Sequence, residues 1–304
     1  MRVLVTGASG FIGHVLCAQL LERGHHVSAL VRRPGSEPDG TERASGDLSD
    51  VDALEAILAE RQPQCVIHLA AQIASQRNEA KIAAVNIAGT AHLLQACKAL
   101  AHSGQTPRFV FASTVVTGDA HGALLREDQP LPITSAYGRS KHEGERMVLS
   151  CGLPAVVVRP SHVYGPGGWY EHEIVARLRQ PGRLAVIGEG KNLWDVVRVE
   201  DVASALVLAS ESASSQSIYH VVDDEPITFY DFVALTAEAL GVGAPRRVPA
   251  ALARLIAGSG AVQAALRSAR SDNAKLRREL GWEPRFASAR EGVPDAVAKI
   301  IGGG

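Results

Sequence analysis

Five short segments of this chain are apolar almost throughout: RVLVT (2–6), HVSALV (26–31), CVIHLAA (65–71), RFVFAST (108–114) and AVVVRP (155–160). None alternates apolar with polar side chains, so each must be covered on both faces, as parallel strands are and half-exposed antiparallel ones are not. Helical patterns stand between them. They cover roughly 11–23, 50–61 (Leu54, Ile57 and Leu58 on one face), a long stretch of about 80–102, and a segment running to about 150. Strand and helix in strict alternation predict an α/β fold, a doubly wound parallel sheet.

After residue 160 the pattern loosens. YGPGGWYEHE (164–173) reads as a glycine-rich loop, and residues 166–190 and about 223–304 contain shorter helices and turns. The expected organisation is a dinucleotide-binding domain over 1–165, to which 191–222 returns, and a smaller substrate-binding lobe from 166–190 and 223–304. The chain has 304 residues, 46% hydrophobic and 21% charged, with a formal net charge of −1. That balance fits a soluble globular protein and offers nothing to nucleic acid. The strand-like start predicts no leader, and no apolar run is long enough to span a bilayer; AALARLIAGSGAVQAAL (250–266) is expected to be a helix broken near Gly258–Gly260, its flanking Arg246, Arg247, Arg267 and Arg270 allowing surface contact with a membrane. Cys17, Cys65, Cys97 and Cys151 lack metal-ligand or redox spacing, so we expect reduced thiols, no metal and a cytoplasmic location.

TGASGFIG (6–13) joins the first strand to the first helix. Gly7 and Gly10 allow a tight turn beside Ser9, Gly13 lets helix and strand close together, and the free N–H groups near Phe11 and Ile12 can hold a pyrophosphate. Dinucleotide binding follows. Where an NAD site places a carboxylate for the adenosine ribose, the second strand ends in Arg32 and Arg33, which suit a 2′-phosphate. The expected cofactor is therefore NADP, with NAD as the alternative; the arginines can equally be solvated loop charges or stack on adenine. In GDLSD (46–50), Asp47 and Leu48 suit the adenine, or a local turn.

These motifs, with HLAA, VNIAGTAHLL, FASTVVTG, YGRSK, RPSHVYGPG, RVEDVA and AKLRRELGWEPRF, occur in order from residue 6 to 286. In that order they resemble the extended short-chain dehydrogenases/reductases, the superfamily of sugar-nucleotide epimerases and dehydratases, dihydroflavonol reductases and 3β-hydroxysteroid dehydrogenases. The resemblance implies a Rossmann fold, a homodimer through the helices at about 80–102 and 136–150, and a site in which Tyr137 is the acid/base, Lys141 its partner and Ser113 the hydroxyl that holds the reacting oxygen. A free phenol titrates near 10, so a close ammonium and an oxidised nicotinamide would be needed to lower it. Lys141 also suits the nicotinamide ribose. Asn86 supports this network or bonds locally. Leu69, Ala70 and Ala71 should lie along the cofactor, and backbone groups at Pro160 and Val163 beside the carboxamide.

The departures bear on substrate. Ser113 is followed by Thr114 and Val115 rather than the Asp-Glu of the family's 4,6-dehydratases, which disfavours dehydration. Trp194 stands where sugar-nucleotide enzymes often carry an arginine before aspartate, and His162 where they carry an asparagine; Arg198 and Lys191 are nearby in sequence and can substitute. Trp169, Tyr170 and Trp194 suggest an aromatic substrate side, or plain packing. The expected activity is hydride transfer between a nicotinamide and a carbonyl or secondary alcohol of a small molecule. A sugar-nucleotide epimerase using the same residues is the alternative, and a non-catalytic NADP sensor a third.

Overall fold

The computed structural model describes residues 1–73, 75–76, 78–180, 182, 184–258, 262–263 and 265–303. Its centre is a seven-stranded sheet: β1 (Arg2–Thr6), β2 (His26–Val31), β3 (Glu42–Ser45), β4 (Cys65–His68), β5 (Arg108–Ala112), β6 (Ala155–Pro160) and β7 (Ser217–Val221). All neighbours are parallel, in the order β7-β6-β5-β4-β1-β2-β3. The expected doubly wound sheet is what forms, and the strand order reverses between β1 and β4. Ligands of such sheets bind beyond the strand ends at that reversal.

The strands are apolar because helices cover both faces. On one side α1 (Phe11–Glu22) packs against α5 (Val199–Ser212) over Leu16, Leu20, Val202 and Leu206. On the other, α2 (Val51–Arg61), α3 (Gly89–His102) and α4 (Ala136–Leu149) bury Leu54, Leu58, Leu93, Cys97 and Val148. All four cysteines are buried and free. Burial pushes the Cys17 and Cys65 thiols up to about 12, so they are inert packing groups.

Three local differences from the sequence reading have physical causes. β3 is an additional edge strand; ERAS carries too little apolar character to be recognised, and it is held by pairing with β2. The third apolar run ends at His68 rather than Ala71, because Leu69–Ala71 leave the sheet to cross its end. The long helix begins at Glu79 and contains a π-helical turn over Ala83–Ala88, a form that inserts a residue to re-aim a side chain. Here that turn carries Asn86.

Beyond β6, His162–Tyr164 pairs with Val196–Arg198, and Leu193–Trp194 pairs with Ile227–Thr228, rather than either joining the main sheet. A separate cluster of Tyr164, Tyr170, Ile174, Phe232 and Val293 forms with α6 (Phe229–Ala239) and the C-terminal helix Ala289–Gly302. The helix expected over 250–266 runs from Ala250 to Ala257 and stops at Gly258, whose φ is +81°; Ser259, Gly260 and Ala261 lie outside the described residues. Among the described residues no helix is long and apolar enough to cross a membrane.

Candidate active site

The glycine turn closes the gap between β1 and β4. Gly7 has φ +71°, and a Cβ there would stand 2.7 Å from the Ala70 backbone nitrogen. A Cβ on Gly13 would collide with the Gly7 and Ala8 carbonyl oxygens. The loop after β1, the start of α1 and the loop after β4 can therefore meet only with glycine at both positions. Gly10 caps α1 with no side-chain bond, and the first turn holds no acidic residue. Its N–H groups and the positive end of the helix dipole are open to an anion. This cradle fits the pyrophosphate of a dinucleotide. The Phe11 ring lies under Gly168, beneath the glycine-rich loop.

At the end of β2, Arg32 and Arg33 are both exposed. Arg32 Nε is 4.0 Å from Asp47 Oδ2. Asp47 is turned toward Ser49, accepting its N–H at 2.9 Å and its hydroxyl at 2.7 Å, which holds its carboxyl below the usual range. Leu48 packs on Gly89 of α3.

A buried polar column runs under this cradle, and the sequence reading missed it. Ala70 N donates to Thr6 Oγ1 at 3.3 Å, Thr6 Oγ1 meets His68 Nδ1 at 2.6 Å, His68 Nε2 meets Thr90 Oγ1 at 3.0 Å, and Thr90 donates to the Asn86 carbonyl at 2.7 Å. Thr90 has one proton and gives it to Asn86, so His68 must donate from Nε2 and accept at Nδ1 from Thr6. Burial, with Lys141 nearby, pushes His68 down to about 3, consistent with this neutral form. The only signal was His68 at the end of an apolar strand, and its two partners come from two other segments, β1 and the long helix.

Asn86 is 1% exposed. Its Oδ1 accepts the Gln72 N–H at 2.7 Å, and its Nδ2 donates to the Gln72 carbonyl at 3.0 Å and to Ser140 Oγ at 2.9 Å. Of the two roles considered for it, local bonding is not the one seen: it ties the loop after β4 to α4, next to Lys141.

Helix α4 is started by Ser135, whose hydroxyl accepts the Gly138 N–H at 2.9 Å. Gly144 lets it close on β5, since a Cβ there would stand 2.5 Å from Phe111 Cζ. Lys141, one turn from Tyr137, is 3% exposed with Nζ 4.5 Å from the Phe111 ring centroid. Phe111 lies two residues before Ser113, so α4 sets Tyr137 and Lys141 at the end of β5. Ser113 is buried, and its Oγ has no hydrogen-bond partner among the described residues. A buried hydroxyl left unpaired is costly and marks a place for a ligand oxygen. Burial pushes Tyr137 up to about 12. It pushes Lys141 down to about 8, against the opposing charge of Glu145. The phenol lowered by its lysine is therefore not a property of the chain alone.

Glu145 follows Lys141 by one turn and is taken by Arg159 of β6 in a bidentate pair: Nε to Oε1 and Nη2 to Oε2, both 2.7 Å. Both residues are buried.

On the substrate side, Trp194 stacks on His162 with centroids 4.0 Å apart, and Trp169 meets Trp194 edge-on at 5.7 Å. Phe229 extends the cluster, 4.5 Å from Trp194. Val115, Val116, His162, Leu193, Trp194, Asp195, Arg267 and Ala269 line one narrow cleft. Several expectations are corrected here. Tyr170 does not line the cleft; it is fully buried against Tyr164 and Phe232, with its hydroxyl 3.0 Å from Thr236. Thr114 donates to the Pro160 carbonyl at 3.1 Å. That carbonyl also takes the Val115 N–H at 3.1 Å, and proline has no N–H, so Pro160 has no free backbone group for a carboxamide. The Val163 carbonyl accepts the Trp169 indole at 2.6 Å, which leaves the expectation for the Val163 N–H untouched. Arg198 does not reach the cleft: it is fully buried and paired to Glu200 at 2.8 Å and Asp295 at 2.7 Å. Lys191 is exposed and pairs with Glu189 at 2.6 Å. The cation that does reach it is Arg267, which the sequence reading noted only as a flank of an apolar helix.

Residues 3–222 match the family model described as the NAD dependent epimerase/dehydratase family. The chain is 33% identical over 306 residues to a 3-diazoavenalumate denitrifying reductase from a Streptomyces species, covering 96% of this chain and 99% of that protein. It is 32% identical to a UDP-glucose 4-epimerase from Mycolicibacterium smegmatis over 98% and 97% of the two chains. The crystal structure of the UDP-glucose 4-epimerase of Thermus thermophilus in complex with NAD superposes with a TM-score of 0.82 at 30% identity, covering 99% of each chain.

Proposed function

The chain belongs to the NAD-dependent epimerase/dehydratase family of extended short-chain dehydrogenases/reductases and is a nicotinamide-dependent enzyme, and from that premise we propose that it is an NADP(H)-dependent carbonyl reductase. The observation that carries this is the unpaired, buried Ser113 Oγ at the end of β5, beside the helix that bears Tyr137 and Lys141. A bound dinucleotide supplies the hydride. The α1 N-terminus, Gly7 and Gly13 hold its pyrophosphate, and Arg32 and Arg33 meet a 2′-phosphate. Ser113 donates to the substrate carbonyl oxygen and fixes it. Tyr137 gives its proton to that oxygen as the carbonyl carbon is reduced, which leaves a phenolate. Lys141, with its pKa near 8, is mostly charged at neutral pH and stabilises the phenolate.

Burial keeps the Tyr137 phenol protonated in the unliganded chain, and either reading needs positive charge beside it, from Lys141 and the bound cofactor, to bring it toward neutral pH. The alternative of a sugar-nucleotide epimerase draws support from the epimerases similar to this chain. The two readings separate by stoichiometry: a reductase consumes one NADPH per ketone, and an epimerase none. Tyr137→Phe should lower ketone-dependent NADPH consumption by about 10²–10⁴-fold while dinucleotide binding persists. Undiminished turnover would sink the mechanism. For the homodimer we propose the shared face of α3 and α4, where Leu94, Lys98 and Met147 line an open groove.

A further inference from the structure

Among the described residues the large apolar side chains left exposed are Met1, Ile73, Leu252, Leu255, Ile256 and Ile301. Three of these six belong to one helix of eight residues, Ala250–Ala257. Leu255 is 85% exposed, Ile256 78% and Leu252 49%. Their i, i+3, i+4 spacing joins them into one stripe. Ala253, by contrast, is buried. The helix therefore turns its largest apolar groups away from the protein, the reverse of a core helix. It is also fixed at both ends. Before it, Arg246–Val248 pairs with Ala185–Ile187. After it, Val262 is fully buried, and Asn192 Nδ2 donates to the Ala265 carbonyl at 3.2 Å. Farther on, the Ser268 carbonyl takes the N–H groups of Ala120 at 3.1 Å and Gly122 at 3.0 Å. The stripe is thus braced on the substrate side of the molecule.

The charge around this stripe has one sign. From Ala239 to Ser271 the sequence contains no acidic residue and five arginines, in a chain whose formal net charge is −1. Arg246, Arg247 and Arg254 are exposed, and among the described residues none of them pairs with a carboxylate within 4.0 Å. Arg254 flanks the stripe on the helix itself. Arg247 is held over the Tyr230 ring, 3.9 Å from its centroid. Glu189, the acid whose charge reaches Arg247, is taken by Lys191 at 2.6 Å. Arg267 plays no part here, since it turns inward to His162 at 2.9 Å.

We propose that helix Ala250–Ala257 docks the enzyme on an anionic lipid surface, with Leu252, Leu255 and Ile256 inserted below the headgroups and Arg246, Arg247 and Arg254 meeting their phosphates. Eight residues make about 12 Å of helix, far short of the roughly 30 Å needed to span a bilayer. Such a helix lies along the surface with its apolar side down. Three side chains are too few for the roughly 800 Å² per partner of a stable protein interface, whereas unpaired guanidinium groups beside an apolar stripe match a phosphate layer over acyl chains. The proposal does not depend on the carbonyl-reductase reading.

The test sediments the full chain with vesicles of phosphatidylcholine, either alone or with about one third phosphatidylglycerol. Binding to the anionic vesicles should be at least tenfold tighter than to the neutral ones and should weaken as salt is raised. Leu255→Ser combined with Ile256→Ser should lower it at least tenfold, and so should Arg246→Gln combined with Arg254→Gln. All four side chains are exposed, so far-ultraviolet circular dichroism and NADPH binding should stay unchanged in both variants. Leu255→Trp reports insertion, its emission shifting to the blue on anionic vesicles. Binding that falls in the arginine variant but not in the serine variant, with no blue shift, would mean adsorption by charge alone and overturn the proposal. Equal binding to both kinds of vesicle, or to neither, overturns it as well. If the unaltered protein binds no vesicles but elutes from a sizing column as a larger species than the serine variant, a second copy of the chain covers the stripe, and the proposal fails.

Discussion

Replacing Glu145 by glutamine tests how the candidate site is held. Glu145 is 3% exposed and Arg159 5%, and two charge-assisted bonds of 2.7 Å join them. The glutamine keeps the shape and one acceptor but turns an NH2 toward the guanidinium and leaves a buried charge uncompensated. Breaking a pair of this kind costs about 3–5 kcal/mol. With an m-value of about 3 kcal/mol/M in urea, the unfolding midpoint should fall by roughly 1 M or more. Arg159→Met should cost a similar amount. The double variant should then be destabilised by at least about 2 kcal/mol less than the sum of the two, because neither charge is stranded in it. Urea unfolding of the four proteins provides the cycle. Additivity within about 0.5 kcal/mol would refute the reasoning. A second readout ties the pair to the site. Glu145 favours the charged form of Lys141, so in Glu145→Gln the lysine should lose its proton at lower pH.

In the unaltered protein, kcat/KM for ketone reduction should be level through neutral pH and decline above about 8, where Lys141 loses the charge that stabilises the Tyr137 phenolate; in Glu145→Gln this limb should move toward acid, and a limb that stays in place would disconnect Glu145 from the lysine. Gly13→Ala should abolish dinucleotide binding, measured by NADPH fluorescence, because the added Cβ meets the Ala8 carbonyl oxygen at 2.5 Å and backbone cannot move aside cheaply. Replacing Arg32 and Arg33 together by serine should weaken NADPH at least tenfold while leaving NADH nearly unchanged, as expected for lost ionic bonds to a 2′-phosphate. Equal losses for both cofactors would mean that the arginines serve the adenine or the loop.

The sequence by itself determined the sheet and its cradle. Uniformly apolar strands between amphipathic helices allow few architectures besides a parallel sheet covered on both faces, and the glycines after β1 announce a close approach whatever the partner. Those are local or periodic signals. The same holds for Tyr137 and Lys141, whose i, i+4 spacing puts them on one helical face. What only the tertiary structure decided depends on contacts between distant segments. His68 is tied to Thr6 and Thr90, Asn86 to Gln72 and Ser140, and Glu145 to Arg159. The sharpest case is the substrate side. Arg198 and Lys191 stand beside Trp194 in sequence, yet one is sealed in its own acidic cluster and the other points to solvent. Arg267, 105 residues from His162, fills the cleft instead. Sequence proximity does not order cations around a pocket; that is set by which loops the packed strands and helices bring to its mouth.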